Sequence, residues 1–337
     1  MVIKNYFAAA NGYTGFRSYF SDVFNSNDYE HIFVIKGGPG TGKSTLMKKI
    51  AKKATEQKID HDKIFCSSDP SSLDGVIIHS ERGKFAVIDG TAPHERDAVI
   101  PGAIDTIINL GDSFDEKKLK EYRAEIVNLN ERKKAAYKSA YDTLKAAGAI
   151  SERINNLIKS SFSYRKANLL VDDLLAGHKA KKLYSSIMLT RAFCKLGLYK
   201  TDSFSNYKEK YTVFGTHGED ILFLNILEEK SRQFNVCKSY SPLCHGDCDA
   251  IGIGETAYIS TSNENKTSLD AREFIDEKYS KEEIDCLESI HENLLNLSKK
   301  HFNDASTYHF DLEKIYSSAV FFEKNEEMLK KIFSAIF

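Results

Sequence analysis

The stretch His31-Ile32-Phe33-Val34-Ile35-Lys36-Gly37-Gly38-Pro39-Gly40-Thr41-Gly42-Lys43-Ser44-Thr45-Leu46-Met47-Lys48-Lys49-Ile50-Ala51 decides the fold. An apolar run leads into glycines, and helically spaced apolar residues follow them. The order is strand, glycine loop, helix. Gly37, Gly42, Lys43 and Ser44 satisfy the pattern G-x-x-x-x-G-K-[ST]. Glycine reaches φ > 0 without steric cost, so such a loop can turn its N–H groups inward. The helix that starts there offers unpaired N–H groups and a positive dipole end to an anion. The pattern predicts a nucleoside triphosphate cradled by Gly37, Gly38, Pro39, Gly40, Thr41, Gly42, Lys43, Ser44 and Thr45. Lys43 is expected on the β- and γ-phosphates, and Ser44 on Mg²⁺.

On the N-terminal side, residues 1–30 read as a lead-in, with a turn at Asn11–Gly15 and a short helix within 16–24. Beyond the cradle, Ile64-Phe65-Cys66 reads as a strand ending in Ser67-Ser68-Asp69-Pro70-Ser71-Ser72-Leu73-Asp74-Gly75. Small hydroxyl and carboxylate residues past a strand end are where an α/β sheet carries its ligand groups. They equally suit a capped turn. Val76-Ile77-Ile78 is a further strand, and Glu81-Arg82-Gly83-Lys84 a tight connection. Phe85-Ala86-Val87-Ile88-Asp89 is an apolar strand ending in a carboxylate, the pattern that holds Mg²⁺ beside a phosphate loop. Gly90 stands where many motor ATPases carry a water-activating glutamate, so the base is unassigned. Asp69, Asp74 and His94 are candidates for positioning the attacking water. Arg82 and Arg96 are candidate charge stabilisers.

From Phe114 to about residue 180 the composition shifts to Lys, Glu, Ala, Leu and Asn. Leu119, Tyr122, Ile126, Leu129, Ala136, Ala140 and Ala147 form a stripe at coiled-coil-like spacing. An antiparallel helical hairpin or arm is expected, broken or bent at Gly148; helices laid on the sheet are the alternative.

The second half repeats the order of the first. Tyr211–Gly215 matches the cradle strand, Thr216–Asp220 its loop, and Ile221–Gln233 its helix. Asp276-Glu277-Lys278 matches Asp115-Glu116-Lys117 at an offset of 161 (115 to 276). Keeping that offset aligns Ile126, Leu129 and Ala136 with Leu287, Ile290 and Leu297. The second copy lacks Gly-Lys-Ser, and Ser260 stands for Asp89. Glu219 and Asp220 would repel a triphosphate. Cys244-His245-Gly246-Asp247-Cys248-Asp249 has metal-ligand residue types but no second ligand pair.

The expected architecture is α/β: two tandem P-loop NTPase-like domains with parallel sheets in three αβα layers, each with a helical arm or hairpin. Their expected limits are 1–184, with its arm at about 114–180, and 185–337, with its helical part at about 270–337. The segments Gly37–Thr45, Cys66–Val76 and Asp89–His94, with Pro101–Asp105 and Ile108–Asp112, resemble a poorly characterised bacterial family of tandem P-loop ATPases. Members commonly carry a phosphate loop in each half, whereas this chain has one. The resemblance implies ATP binding and hydrolysis.

The chain has 337 residues, 42% hydrophobic and 28% charged, and a formal net charge of −1. Nothing global points to nucleic acid, and no stretch is long and apolar enough to span a membrane. Six scattered cysteines and no secretory leader predict a reducing cytoplasm. The leading expectation is an Mg²⁺-dependent ATPase with Lys43, Asp89, His94 and Asp69 in catalysis, and Ser44 and Asp89 on the metal. A P-loop kinase, and a nucleotide-dependent switch binding a protein through its arms, are the alternatives. A homo-oligomer is compatible with each.

Overall fold

The structure, a computed structural model, describes residues 1–179, 184–264, 268–276 and 279–337. In the first half the elements are β1 (Ile3–Phe7), β2 (Ala9–Gly12), β3 (Gly15–Ser18), α1 (Phe20–Val23), β4 (His31–Lys36), α2 (Lys43–Glu56), β5 (Asp60–Phe65), β6 (Leu73–Ser80), β7 (Gly83–Asp89), β8 (Asp105–Asn109), α3 (Glu116–Glu121), α4 (Arg123–Ser161) and α5 (Tyr164–Ala176). The second half runs through β9 (Ser185–Ile187), β10 (Arg191–Cys194), β11 (Gly197–Lys200), β12 (Glu209–Phe214), α6 (Glu219–Lys230), β13 (Val236–Tyr240), β14 (Cys248–Ile253), β15 (Thr256–Thr261), β16 (Leu269–Asp270), α7 (Lys281–Ser317) and α8 (Phe322–Ile336).

Each half builds a six-stranded sheet. The orders are β1-β5-β6-β7-β4-β8 and β9-β13-β14-β15-β12-β16, the same topology twice. The fold is α/β, but the sheets are mixed and not parallel as expected. β6 runs antiparallel to both β5 and β7, and β14 to both β13 and β15. The reason lies in the tight connection itself. Only Glu81 and Arg82 separate β6 from β7, and only Gly254 and Glu255 separate β14 from β15. Two residues can join antiparallel neighbours, whereas a parallel pair needs a long crossover. Residues 1–30 are more than a lead-in, because β1 is an edge strand and β2–β3 a hairpin.

The three-layer expectation also fails. Successive side chains on a strand point to opposite faces. Ile32, Val34, Ala86 and Ile88 of the first sheet share one core with Cys237, Ala250 and Ala257 of the second. Phe33, Ile35, Phe85 and Val87 face the other way, onto α2. The two sheets therefore pack face to face, with helices outside. Small residues on β14 and β15 leave room for this approach. Ala250 and Ala257 are the small residues at this contact, while Gly252 makes room for Tyr207 of its own half, whose hydroxyl would lie 2.0 Å from a Cβ there.

The helical parts are exchanged between halves. α5 buries Ala167, Val171 and Leu175 with Leu222, Phe223 and Leu227 of α6. α8 buries Leu329, Ile332 and Ile336 with Leu46, Met47 and Ile50 of α2. The crossings are reciprocal. Asp115 N donates to Ala319 O at 2.8 Å, and Asp276 N to Ser161 O at 2.9 Å. Asp115 and Asp276 are the pair aligned by the offset of 161; Glu277 and Lys278 lie outside the described residues.

The expected hairpin within each half is instead an antiparallel pair of one long helix from each half. Ser298 Oγ donates to Ala140 O at 2.9 Å, Arg132 Nη2 to Tyr308 Oη at 3.0 Å, and Arg153 Nη2 to Glu283 Oε1 at 2.7 Å. Of the stripe, Leu129, Ala140 and Ala147 are buried, and Ala140 packs with Leu144, one turn on, and Phe302. Gly148 does not break α4, which is continuous from Arg123 to Ser161. Its missing side chain admits Tyr13, whose Cβ lies 2.7 Å from where a Cβ on Gly148 would stand. Alanine is the better helix former by about 1 kcal/mol, yet this contact reverses the sign. Gly148→Ala is expected to lower the thermal midpoint, and a rise would show that Tyr13 yields freely.

No helix among the described residues is long and apolar enough to cross a membrane.

Candidate functional site

β4 delivers the chain into the glycine loop at the end of the sheet. Gly40 and Gly42 take φ of +68° and +86°, and Gly42 is the N-cap of α2. Non-glycine residues are strained there, which explains the spacing of the motif. Thr41 Oγ1 donates to Gly38 O at 2.8 Å. Lys43, the first residue of α2, donates through Nζ to Gly37 O at 2.8 Å and Gly38 O at 3.0 Å. The same ammonium lies 3.6 Å from Asp89 Oδ2. Ser44 Oγ accepts from Leu73 N at 3.0 Å, so β6 starts against the helix N-terminus.

Asp89 ends β7, the neighbour of β4, in register with Ile35. Its Oδ1 accepts from Thr91 N at 2.9 Å and Thr91 Oγ1 at 2.6 Å. Beside it stand Asp74 from β6 and His94 from the loop after β7, all three buried. Burial, reinforced by the Asp89 charge, pushes the Asp74 carboxyl up to about 6, while His94 and Lys43 draw it down. Burial pushes the thiol of Cys66 well up, with Asp74 adding to the rise. The arrangement offers an anion a lysine and helix N–H groups, and offers a cation two carboxylates, a hydroxyl and an imidazole.

Of the predicted residues, Gly37–Thr45, Asp89 and His94 are brought together. Asp69 stands in the loop after β5 and is not part of the trio that Asp74, Asp89 and His94 form. Its Oδ2 accepts from Lys195 Nζ at 2.5 Å and its Oδ1 from Ser71 Oγ at 2.7 Å. Burial raises its carboxyl, but Lys195 and Ser71 outweigh that and hold it below the usual range. Asp74 takes the position beside Asp89 that Asp69 does not. Arg82 donates to Ser334 O at the end of α8. Arg96 braces Phe24 O, Ser26 and Asp105. Neither guanidinium bonds to the loop. Cys244 and Cys248 form no ligand cluster: Cys248 is buried on β14, and His245 Nδ1 pairs with Thr14 Oγ1 at 3.2 Å.

Local motifs could not mark several residues at the loop. A Cβ on Gly40 would stand 2.6 Å from Glu313 O and 3.0 Å from Ser317 N, so the last turn of α7 rests on the loop. Asn325 Nδ2 of α8 donates to Thr41 O at 2.8 Å. Burial raises the Glu313 carboxyl, with Lys43 and the Gly40 N–H opposing. Burial lowers His309 to about 4, helped by the charges of Lys133, Lys43 and Lys195.

The second half repeats this frame with the chemistry inverted. Gly218 caps α6 at φ +110°, as Gly42 caps α2. Ser260 pairs with Val213 in the register by which Asp89 pairs with Ile35. The carboxylate is now on the helix and the hydroxyl on the strand: Ser260 Oγ donates to Asp220 Oδ2 at 2.6 Å. Glu219 is fully buried and accepts from His217 N at 2.8 Å and Tyr279 Oη at 3.1 Å. This helix N-terminus is supplied with anions by its own chain.

Comparison of the chain with protein-family models, with curated proteins and with solved structures gives no match.

Proposed function

We propose that the chain binds ATP with Mg²⁺ at the glycine loop of its first half and hydrolyses it there, the second half being non-catalytic. The observation that carries this is the meeting of Lys43 and Asp89 at the N-terminus of the helix whose first turn holds Ser44 and whose cap is left-handed Gly42. A triphosphate needs N–H donors and a cation on its oxygens, and a metal on a hydroxyl and a carboxylate. In this reading Gly37–Thr45 hold the phosphates, Lys43 the β and γ oxygens, and Ser44 and Asp89 the metal. His94 and Asp74 lie closest to Asp89 as groups that orient water. The second loop argues for a single site, because Glu219 and Asp220 already occupy its donors. The resemblance to tandem P-loop ATPases, and a cytoplasmic setting, belong to the same proposal.

One observation favours a kinase as the second reading. His94 and Arg96 line a cleft of about 580 Å³ together with Phe20, Phe24 and Ile100. A phosphoryl acceptor in that cleft would sit against His94. The protein-binding switch gains less support, since part of the α4 stripe is covered by α7.

Calorimetric titration with ATP and Mg²⁺, together with ADP release, tests the reading. One site per chain is expected. Absence of binding overturns the proposal, and two sites overturn the inert second half. His309 supplies a second readout. Its depressed value means that it binds a proton only near pH 4 in the free protein, against about 6.5 for an unperturbed histidine. A polyanion beside Lys43 offsets the lysine charges and favours the imidazolium. ATP is therefore expected to move the His309 titration upward, as followed by NMR.

A further inference from the structure

Asp74, Asp89 and His94 each bring one potential ligand atom to within 4.8 Å of the other two, and no other such trio occurs among the described residues. His94 is the informative member. It is 7% exposed, and neither Nδ1 nor Nε2 has a hydrogen-bond partner. Buried imidazoles normally donate and accept. The ring is held instead by packing: Phe20 stacks on it at 4.5 Å, and Phe16 lies 6.4 Å away. Its Nδ1 stands 4.0 Å from Asp74 Oδ2. Two carboxylates and a free nitrogen thus converge in a buried place, with one lysine near Asp89 to offset them.

We propose that Asp74, Asp89 and His94 hold a divalent transition-metal ion of the Mn²⁺ or Fe²⁺ class, and do so without a nucleotide. Three ligand atoms bonded at about 2.1 Å to one ion stand on average no more than about 3.6 Å apart. The three atoms, now within 4.8 Å of one another and 4.0 Å apart for His94 and Asp74, close by up to about an ångström on that bond length as the ion binds. Imidazole suits the later first-row ions, and carboxylates suit harder ones; a mixed set selects the ions between. Mg²⁺ prefers oxygen ligands and keeps its waters, so His94 gives it little. Three protein ligands leave coordination positions open to water or to a bound oxyanion. The cleft that His94 lines provides an approach for the ion. The site shares Asp89 with the proposed nucleotide site, but it needs neither Lys43 nor the glycine loop.

The test uses Mn²⁺ and the full chain without nucleotide, followed by electron paramagnetic resonance. One bound ion per chain is expected, with hyperfine coupling from an imidazole nitrogen. Asp74→Asn and His94→Gln are each expected to weaken Mn²⁺ binding at least about tenfold, the low end for disturbing a metal site. Lys43→Ala is expected to leave binding unchanged or tighter, since it removes a cation beside Asp89. A large excess of Mg²⁺ should not displace the ion. No binding by the wild type, no nitrogen coupling, full affinity in His94→Gln, or displacement by Mg²⁺ would each overturn the proposal. The nitrogen coupling is read on the wild type, so it decides even where a variant fails to fold. Mn²⁺ binding without ATP binding would sink the nucleotide reading and leave this one standing.

Discussion

Lys43→Ala is expected to abolish ATP turnover, lowering the rate by about 10²–10³ or more. That is the usual cost of removing one preorganised charge-stabilising donor. Here the donor is an ammonium already aimed at the loop, bonded to the carbonyls of Gly37 and Gly38 and 3.6 Å from Asp89. A phosphate can take the place of those carbonyls without moving the helix. Alanine leaves the N–H groups of the loop intact, so some triphosphate binding should persist while turnover is lost. Lys43→Arg keeps the charge but changes its shape, and is expected to recover binding better than rate. A thermal melt of each variant separates loss of chemistry from loss of fold. Equal turnover by wild type and Lys43→Ala would remove the ATPase reading.

Ile332→Ala is expected to destabilise the protein by about 2–5 kcal/mol, the range for deleting a buried aliphatic side chain. Ile332 is fully buried on α8, in the core that α8 shares with α2 and the first sheet. The residue belongs to the second half by sequence and to the first by packing. Its removal should therefore shift urea unfolding of the first sheet, where a self-contained second half would leave that sheet untouched. It should also weaken ATP binding, because α8 carries the Asn325 amide bonded to Thr41 O. The control is Val127→Ala at an exposed position on α4, for which a change within about 0.5 kcal/mol is expected. A shift no larger than that of the control would show that α8 is only loosely docked.

Local chemistry was legible in the chain because each signal is carried by neighbours. The glycine at 42 had to be left-handed for Lys43 and Ser44 to begin a helix, and it is. Ile32-Phe33-Val34-Ile35 is apolar without alternation, which predicts a strand buried on both faces. Both faces are buried, but nothing local says by what. The inner face meets a second sheet and the outer face meets helices, one of them from the far end of the chain. The tight turn at Glu81–Arg82 contained the antiparallel signal, and strand pairing made it visible. Gly148 looked like a helix break because propensity is a local quantity. Its real constraint is Tyr13, far away in sequence.

Residue order alone sets the strand–loop–helix cradle, the repeat of elements, and the absence of Lys and Ser from the second loop. Those depend on residue type and short spacing alone. Tertiary structure decided that Asp74 and not Asp69 joins Asp89 and His94, and that each half lends its last helix to the other. It also decided that Glu313 and Asn325 close on the glycine loop. These depend on how two half-buried sheets and two long helices cover one another's apolar faces. The burial is non-directional and roughly proportional to area, so any partner of the right shape would satisfy it. Which partner does so is a property of the whole packed chain.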